Sequence, residues 1–220
     1  STAVRALNGV DFDVKRGEFL AIVGTSGSGK STLLNMLAGL ERPSRGKVYI
    51  HQRDLTRMTE QELVNFRKNH IGFIFQSFNL ISSQTAEENV ELPLIFRGEK
   101  RGLRRRKARQ MLYLVGLQSK IRHRPFEMSG GEQQRVGVAR ALVVDPEIVF
   151  ADEPTGNLDS HTTQEILSLL QEISKEQNQT LIMVTHDNNL AQYADRIFRI
   201  LDGRIIAIER GSKRYEKGDK

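Results

Sequence analysis

Two short segments hold residues whose types and spacing do chemistry. Gly24-Thr25-Ser26-Gly27-Ser28-Gly29-Lys30-Ser31 fits the phosphate-loop pattern GxxxxGK[ST] at every fixed position. The glycines let successive backbone N–H groups turn toward one point and approach phosphate oxygens closely. Lys30 supplies a mobile cation for β- and γ-phosphates, and the Ser31 hydroxyl supplies a ligand for Mg²⁺. Thr32 continues a segment of helical spacing, so the positive end of a helix dipole faces the same phosphates. The second segment is Ile148-Val149-Phe150-Ala151-Asp152-Glu153. An apolar strand ending in acids delivers carboxylates to the carboxyl rim of a sheet, where ligands of open α/β sheets bind. Asp152 is placed to hold the Mg²⁺ shell. Glu153 is placed to orient and deprotonate a water. The strand ending in two acids is a weak signal alone and a strong one after a phosphate loop; together they point to nucleoside triphosphate hydrolysis.

The elements that must position these residues read as alternating strands and helices. Residues 10–14 alternate with period two, a half-buried strand pattern. Residues 18–23 form a continuous apolar run, the pattern of a buried parallel strand. The glycine loop follows, then a helix over 31–40, a strand over 47–51, a polar helix over 60–69 and a strand over 71–75. Residues 77–128 read mostly helical and rich in charge, with helices over 85–96 and 103–117, and form an expected helical insertion. The α/β pattern resumes with a helix over 132–144 and a strand over 147–151. A long helix over 160–177 presents Ile166, Leu169, Leu170 and Ile173 on one face. A strand over 180–185 follows, then a hairpin about Asp202-Gly203. Residues 209–220 read as a charged, fraying tail.

Composition removes several classes. The 220 residues allow one to two domains, with 38% hydrophobic and 27% charged residues, an ordinary soluble balance. There is no Cys, so a disulfide framework, a thiolate metal site and a cysteine nucleophile are excluded. No apolar run is long enough to cross a bilayer and no secretory leader is visible, so a role at a membrane would be peripheral. The chain starts at Ser1 without Met, and removal of the natural N-terminus is expected. Net charge is +6, much of it in Arg101, Arg104, Arg105, Arg106, Lys107 and Arg109. That cluster reads either as a solvated helix face or as a contact site. No aromatics alternate with it, so nucleic acid is not expected. His51, His70, His123 and His161 are expected to be structural or exposed, and no spacing marks a histidine metal site.

These motifs leave the class of hydrolase open. A guanine-reading N-K-x-D motif is absent, and no acceptor site and lid of a small-molecule kinase can be located. Met128-Ser129-Gly130-Gly131-Glu132-Gln133-Gln134 resembles the L-S-G-G-[QE] signature of ABC-type ATPases. Other elements of that family fall in order: Gln76 after residues 71–75, Asn157-Leu158-Asp159 after the acid pair, and His186 after residues 180–185. The resemblance runs from Leu7 to Ile208. Residues 71–80, 88–94 and 152–159 are similar to the lipoprotein-release and macrolide-export type.

The resemblance implies an ABC ATPase core with a mostly parallel sheet, an antiparallel β-subdomain, and a helical subdomain between Gln76 and the signature. The core spans about 1–76 and 129–208, the helical part about 77–128. It implies ATP and Mg²⁺ as cofactors. Gly24 to Thr32 would hold the nucleotide, together with Ser129, Gly130, Gly131, Glu132 and Asp159 of a second copy docked head to tail. Ser31, Gln76 and Asp152 would ligate Mg²⁺. Glu153, His186 and Gln76 would serve the attacking water, with His186 also on the γ-phosphate. The implied partners are that second copy and a polytopic membrane permease, with the chain peripheral on the cytoplasmic side of the inner membrane. A signalling ATPase without transport, or a soluble ABC ATPase acting on nucleic acid or ribosomes, are the alternatives. Two departures stand out. Met128 replaces the usual Leu, a swap of similar volume. Residues 1–11 contain no aromatic, although the family carries an adenine-stacking aromatic on a further N-terminal strand; either that strand was trimmed or the base is held otherwise.

Overall fold

The computed structural model describes residues 5–213. From the N-terminus come β1 (Phe19–Val23), α1 (Lys30–Leu37), β2 (Tyr49–Ile50), β3 (Arg53–Asp54), α2 (Glu60–His70), β4 (Ile71–Phe75), α3 (Ala86–Phe96) and α4 (Arg101–Leu114). Then follow α5 (Gly130–Leu142), β5 (Ile148–Asp152), α6 (Ser160–Glu176), β6 (Thr180–Thr185), α7 (Asn188–Ala191), β7 (Arg196–Leu201) and β8 (Arg204–Arg210). Six strands form one sheet in the order β4-β5-β6-β1-β7-β8. Its first five strands are parallel, and β8 returns antiparallel on β7. β2 and β3 form a separate antiparallel pair.

Strand burial explains the continuous apolar runs. Every residue of β1 and β6 is buried, because helices cover both faces of the parallel sheet. The pleat divides their side chains between two cores. Leu20 and Ile22 join Phe150, Ile182, Val184 and Phe198 under Leu33, Leu34, Leu63 and Phe66 of α1 and α2. Ala21 and Val23 join Val149, Ala151, Leu181 and Met183 under α5 and α6, where Val136, Ala139, Ile166 and Leu170 are buried. Val90 and Leu94 of α3 and Ala108 and Leu112 of α4 extend this second core.

The basic run of α4 is mostly paired. Arg105 and Arg109 both hold the buried carboxylate of Glu87 on α3, Arg104 holds Glu91, and Lys107 holds Glu99. This part of the run, which reads either as a solvated face or as a contact site, is a clasp between α3 and α4. Two of the helices start at reciprocal side-chain caps. Thr59 with Glu62 and Thr85 with Glu88 form reciprocal capping boxes at α2 and α3.

The structure corrects several sequence expectations. Residues 10–14 form no strand. Their alternation is genuine, because Val10, Phe12 and Val14 pack on the core and Phe12 meets Phe198 edge-on at 5.1 Å. The period-two signal records burial, with no ladder beside it. The strand expected over 47–51 shrinks to Tyr49–Ile50. Glu209 and Arg210, expected in the tail, extend β8, where Glu209 is held by Arg199. Residues 1–4 and 214–220 lie outside the described residues. On α6, Leu169 is only partly buried, while Leu167 joins Ile166, Leu170 and Ile173 inside.

Phe150 sits fully buried at the middle of β5, against Phe73 of the edge strand β4. Phe150→Ala is expected to lower the unfolding free energy by about 3–5 kcal/mol, measured by urea denaturation. A loss below about 1 kcal/mol would contradict this packing account.

Candidate functional site

Strand register assembles the site. Val23 lies opposite Thr185, Asp152 opposite Val184, and Phe75 opposite Asp152. The residues that follow, Gly24, His186, Glu153 and Gln76, therefore leave neighbouring strands at one carboxyl rim, where open α/β sheets bind ligands.

The glycine loop between β1 and α1 is built for an anion. Lys30 is buried, and its Nζ donates to the carbonyls of Gly24 and Thr25, both at 2.9 Å. The ammonium thus waits inside the loop. Gly29 caps α1 at φ 96° without a side-chain cap, so the first N–H groups of the helix remain open. A Cβ on Gly24 would stand 2.4 Å from the Ile200 carbonyl oxygen, and one on Gly29 would stand 2.3 Å from that of Ala6. Both positions need glycine for close approach. The Ser28 hydroxyl is buried without a hydrogen-bond partner, an unsatisfied group that an anion or its water can complete.

The acids stand beside this loop. Burial pushes the Asp152 carboxyl above the ordinary carboxylate range, and neighbouring Glu153 adds to it; Lys30 and the Ser31 hydroxyl pull the other way. Ser31 and Asp152 are hard oxygen donors of the kind Mg²⁺ takes. Among the described residues no group of three His, Cys, Asp or Glu side chains could hold a metal alone. Glu153 holds a left-handed backbone at φ 47° while its N–H donates to the Val184 carbonyl at 2.9 Å. Its carboxylate, little exposed, lies 2.9 Å from His186 Nδ1, whose ring is 67% exposed. A cleft of about 640 Å³ is lined by Ser26, Gly27, Gly29 to Thr32, Glu153 and His186, together with Arg5 and Ala6. Arg5 and Ala6 were not foreseen, and no motif marks them.

Other expected residues lie apart from the cleft. Gln76 is tied to Asn157: the Asn157 amide donates to the Gln76 carbonyl at 3.0 Å, and the two side chains meet at 3.5 Å. Asp159 caps α6, accepting from the Thr162 N–H at 3.0 Å and hydroxyl at 2.6 Å, which hold its carboxyl below the usual range. Ser129 caps α5 at the signature. Its hydroxyl accepts from the Glu132 N–H at 3.2 Å, and Glu132 accepts from the Ser129 N–H at 2.8 Å and pairs with Lys120. Ser129 is exposed, and neither it nor Gly130, Gly131 or Glu132 lines the cleft of its own chain. Among the histidines, His51 and His70 share the Glu147 carboxylate and His161 is exposed, the bland roles expected of them.

The family model for ABC transporters matches residues 7–156. The macrolide export ATP-binding/permease protein MacB of Shewanella sp. (strain W3-18-1) is 49% identical over 207 residues, which are 94% of this chain and 32% of that protein. An ABC transporter ATP-binding protein of Thermotoga maritima is 50% identical over 94% of this chain and 88% of its own length. A solved dimeric ATP-binding cassette in a post-hydrolysis state, bound to ADP and Pi, superimposes with a TM-score of 0.86 at 43% identity, covering 94% of this chain and 91% of that one. The chain thus spans about a third of the macrolide-export relative and most of the Thermotoga protein. Phosphate loop, acid pair, parallel rim and these likenesses agree, and the chain belongs to the ABC transporter family as an ATP-hydrolysing nucleotide-binding domain.

Proposed function

We propose that two copies of this chain dock head to tail around two Mg-ATP and drive a membrane permease, from the cytoplasmic face of the inner membrane. The observation that carries this reading is the position of Ser129. It stands exposed at the N-terminus of α5, outside the cleft that gathers Lys30, Glu153 and His186. An ATP held by Lys30 in one copy would receive Ser129, Gly130, Gly131 and Glu132 from the other. Asp159 would sit at the same junction. That is a two-fold, isologous arrangement. ADP lacks the γ-phosphate, so hydrolysis removes the bridge and the pair opens, a population shift driven by differential contacts.

Within each cleft, Lys30 would leave its two loop carbonyls for the β- and γ-phosphate oxygens. The open N–H groups of α1 and the Ser28 and Thr32 hydroxyls would complete the cradle. Ser31, Asp152 and Gln76 would hold Mg²⁺, which supplies charge neutralisation on the transferring phosphoryl group. Glu153 would accept the proton of the attacking water, and His186 would hold that carboxylate or the water in line. Gln76, tied to Asn157, would report the state of the cleft to the helical part over 77–128. Beside it a groove of about 470 Å³ runs between α2, β4 and α3, lined by Val64, Ile71, Phe73, Phe75, Pro93 and Phe96. Phe96 is 69% exposed there, which supports docking of an apolar helix end of the permease. Among the described residues no helix is long and apolar enough to cross a membrane. Arg105 and Arg109 share the buried Glu87 carboxylate, which supports a structural role for this part of the basic run.

Glu153→Gln is expected to keep ATP binding, to lower kcat by roughly a hundredfold or more, and to sediment as a dimer in ATP. Monomeric behaviour at saturating ATP would contradict the sandwich. Adding Ser129→Arg should abolish that dimer while calorimetry shows unchanged nucleotide affinity.

Asp152 gives a pH test. Its folded-state pKa is raised by burial, so the charged carboxylate destabilises the empty fold at every pH above that value. The cost fades as pH falls through the folded pKa toward the unfolded one. Asp152→Asn should raise the unfolding midpoint at pH 8, lose that advantage in acid, and lose Mg-dependent turnover. A variant less stable than the parent at pH 8 would contradict this assignment.

A further inference from the structure

Helix α5 does more than present Ser129. Two of its inward side chains reach both loops that carry reacting groups. Gln134 is fully buried, and its Nε2 donates to the carbonyl of Pro154, the residue after Glu153. Its Oε1 is buried without a partner. Further along the same helix, Arg140 donates from Nη2 to the Phe78 carbonyl at 2.7 Å and from Nη1 to the Asn79 carbonyl at 2.5 Å. Phe78 and Asn79 belong to the loop that leaves Gln76. Both adopt left-handed backbone, φ 59° and 49°, a conformation that non-glycine residues keep only when their surroundings impose it. Between Gln134 and Arg140 the helix backbone runs close to this loop: a Cβ on Gly137 would stand 3.8 Å from the Phe78 carbonyl oxygen.

The Arg140 arrangement is unusual in its charge balance. Burial lowers the guanidinium's pKa, and its hydrogen bonds go to carbonyls instead of a carboxylate. A desolvated cation without a counter-ion is costly to keep for packing alone. What the guanidinium offers is a planar fork that grips two successive carbonyls at once. The two gripped loops also hold each other, through the Asn157 amide on the Gln76 carbonyl. Arg140, the Gln76 loop, Asn157, the Glu153 loop and Gln134 therefore close a ring of hydrogen bonds on α5.

We propose that Arg140 and Gln134 are positioning residues for ATP hydrolysis, which lock the loops bearing Gln76 and Glu153 to the helix that ends in Ser129. The link between the two ATP sites rests on the head-to-tail reading above. In that dimer Ser129 meets the ATP of the other copy, while Glu153 serves the ATP of its own. α5, about 20 Å long, then joins the two sites, and docking at one end sets the geometry at the other.

The test is steady-state ATPase kinetics on Arg140→Met, Arg140→Lys, Gln76→Ala and the Arg140→Met/Gln76→Ala pair, with thermal unfolding to check folding. Methionine keeps an apolar stem and removes the fork. Arg140→Met is expected to lower kcat about tenfold or more, as displaced catalytic loops do, with the KM for ATP changed less than about threefold. Arg140→Lys should recover part of the loss. In the Gln76→Ala background the same substitution should cost less than about threefold, the signature of two residues acting through one element. Full kcat in Arg140→Met, or an undiminished loss in the Gln76→Ala background, overturns the proposal. Should Arg140→Met fail to fold, Arg140→Lys carries the same comparison in both backgrounds. The sandwich is read separately, from dimerisation of Glu153→Gln in ATP. Its failure would remove the link between sites and leave the kinetic split to decide the positioning role.

Discussion

The site depends on the register of four parallel strands. β4, β5, β6 and β1 are neighbours, and their pairing sets Phe75, Asp152, Val184 and the β1 end nearly level. A slip of one residue in any pair would turn its side chains to the opposite face. Burial on both faces forbids that slip: Leu20, Ile22, Phe150 and Val184 belong to one core and Ala21, Val149, Ala151 and Met183 to the other. Apolar packing with no chemistry of its own thus brings Gly24, Glu153 and His186 to one rim of the sheet, with Gln76 leaving the neighbouring strand.

Around that rigid rim the chain keeps features that cost stability. The raised Asp152 carboxyl, the orphaned Ser28 hydroxyl and the left-handed Glu153 backbone all stand in one small region. A strained non-glycine residue costs about 1–3 kcal/mol. In the proposed complex a phosphate and its cation would complete the first two. Lys30 is the exception, satisfied at rest by two loop carbonyls. In the proposed complex its move to the nucleotide would exchange neutral acceptors for charged ones, which makes stronger hydrogen bonds.

The sequence showed the parts whose signal is local. The glycine loop, the apolar strand before Asp152-Glu153, the run over 180–185 and the Asp202-Gly203 hairpin all stand where spacing placed them. Signals that record burial alone misled: Val10, Phe12 and Val14 alternate because they cover Phe198, not because a strand pairs them. Charge runs carry no information on partners, so the α4 cluster could not be read as a clasp on Glu87. Nor does Arg140 announce that it spans to the loop beyond Gln76. Those contacts join residues far apart in the chain, and only the folded arrangement of α5 against β4 and β5 creates them.

The most direct measurement is a crystal structure of the Glu153→Gln chain grown with Mg-ATP. The account predicts two copies related by a two-fold axis. In each cleft the γ-phosphate would lie within hydrogen-bond distance of Lys30 Nζ from one copy and of the Ser129 hydroxyl from the other. Nucleotide seated on Lys30 with Ser129 of every copy facing solvent would contradict it.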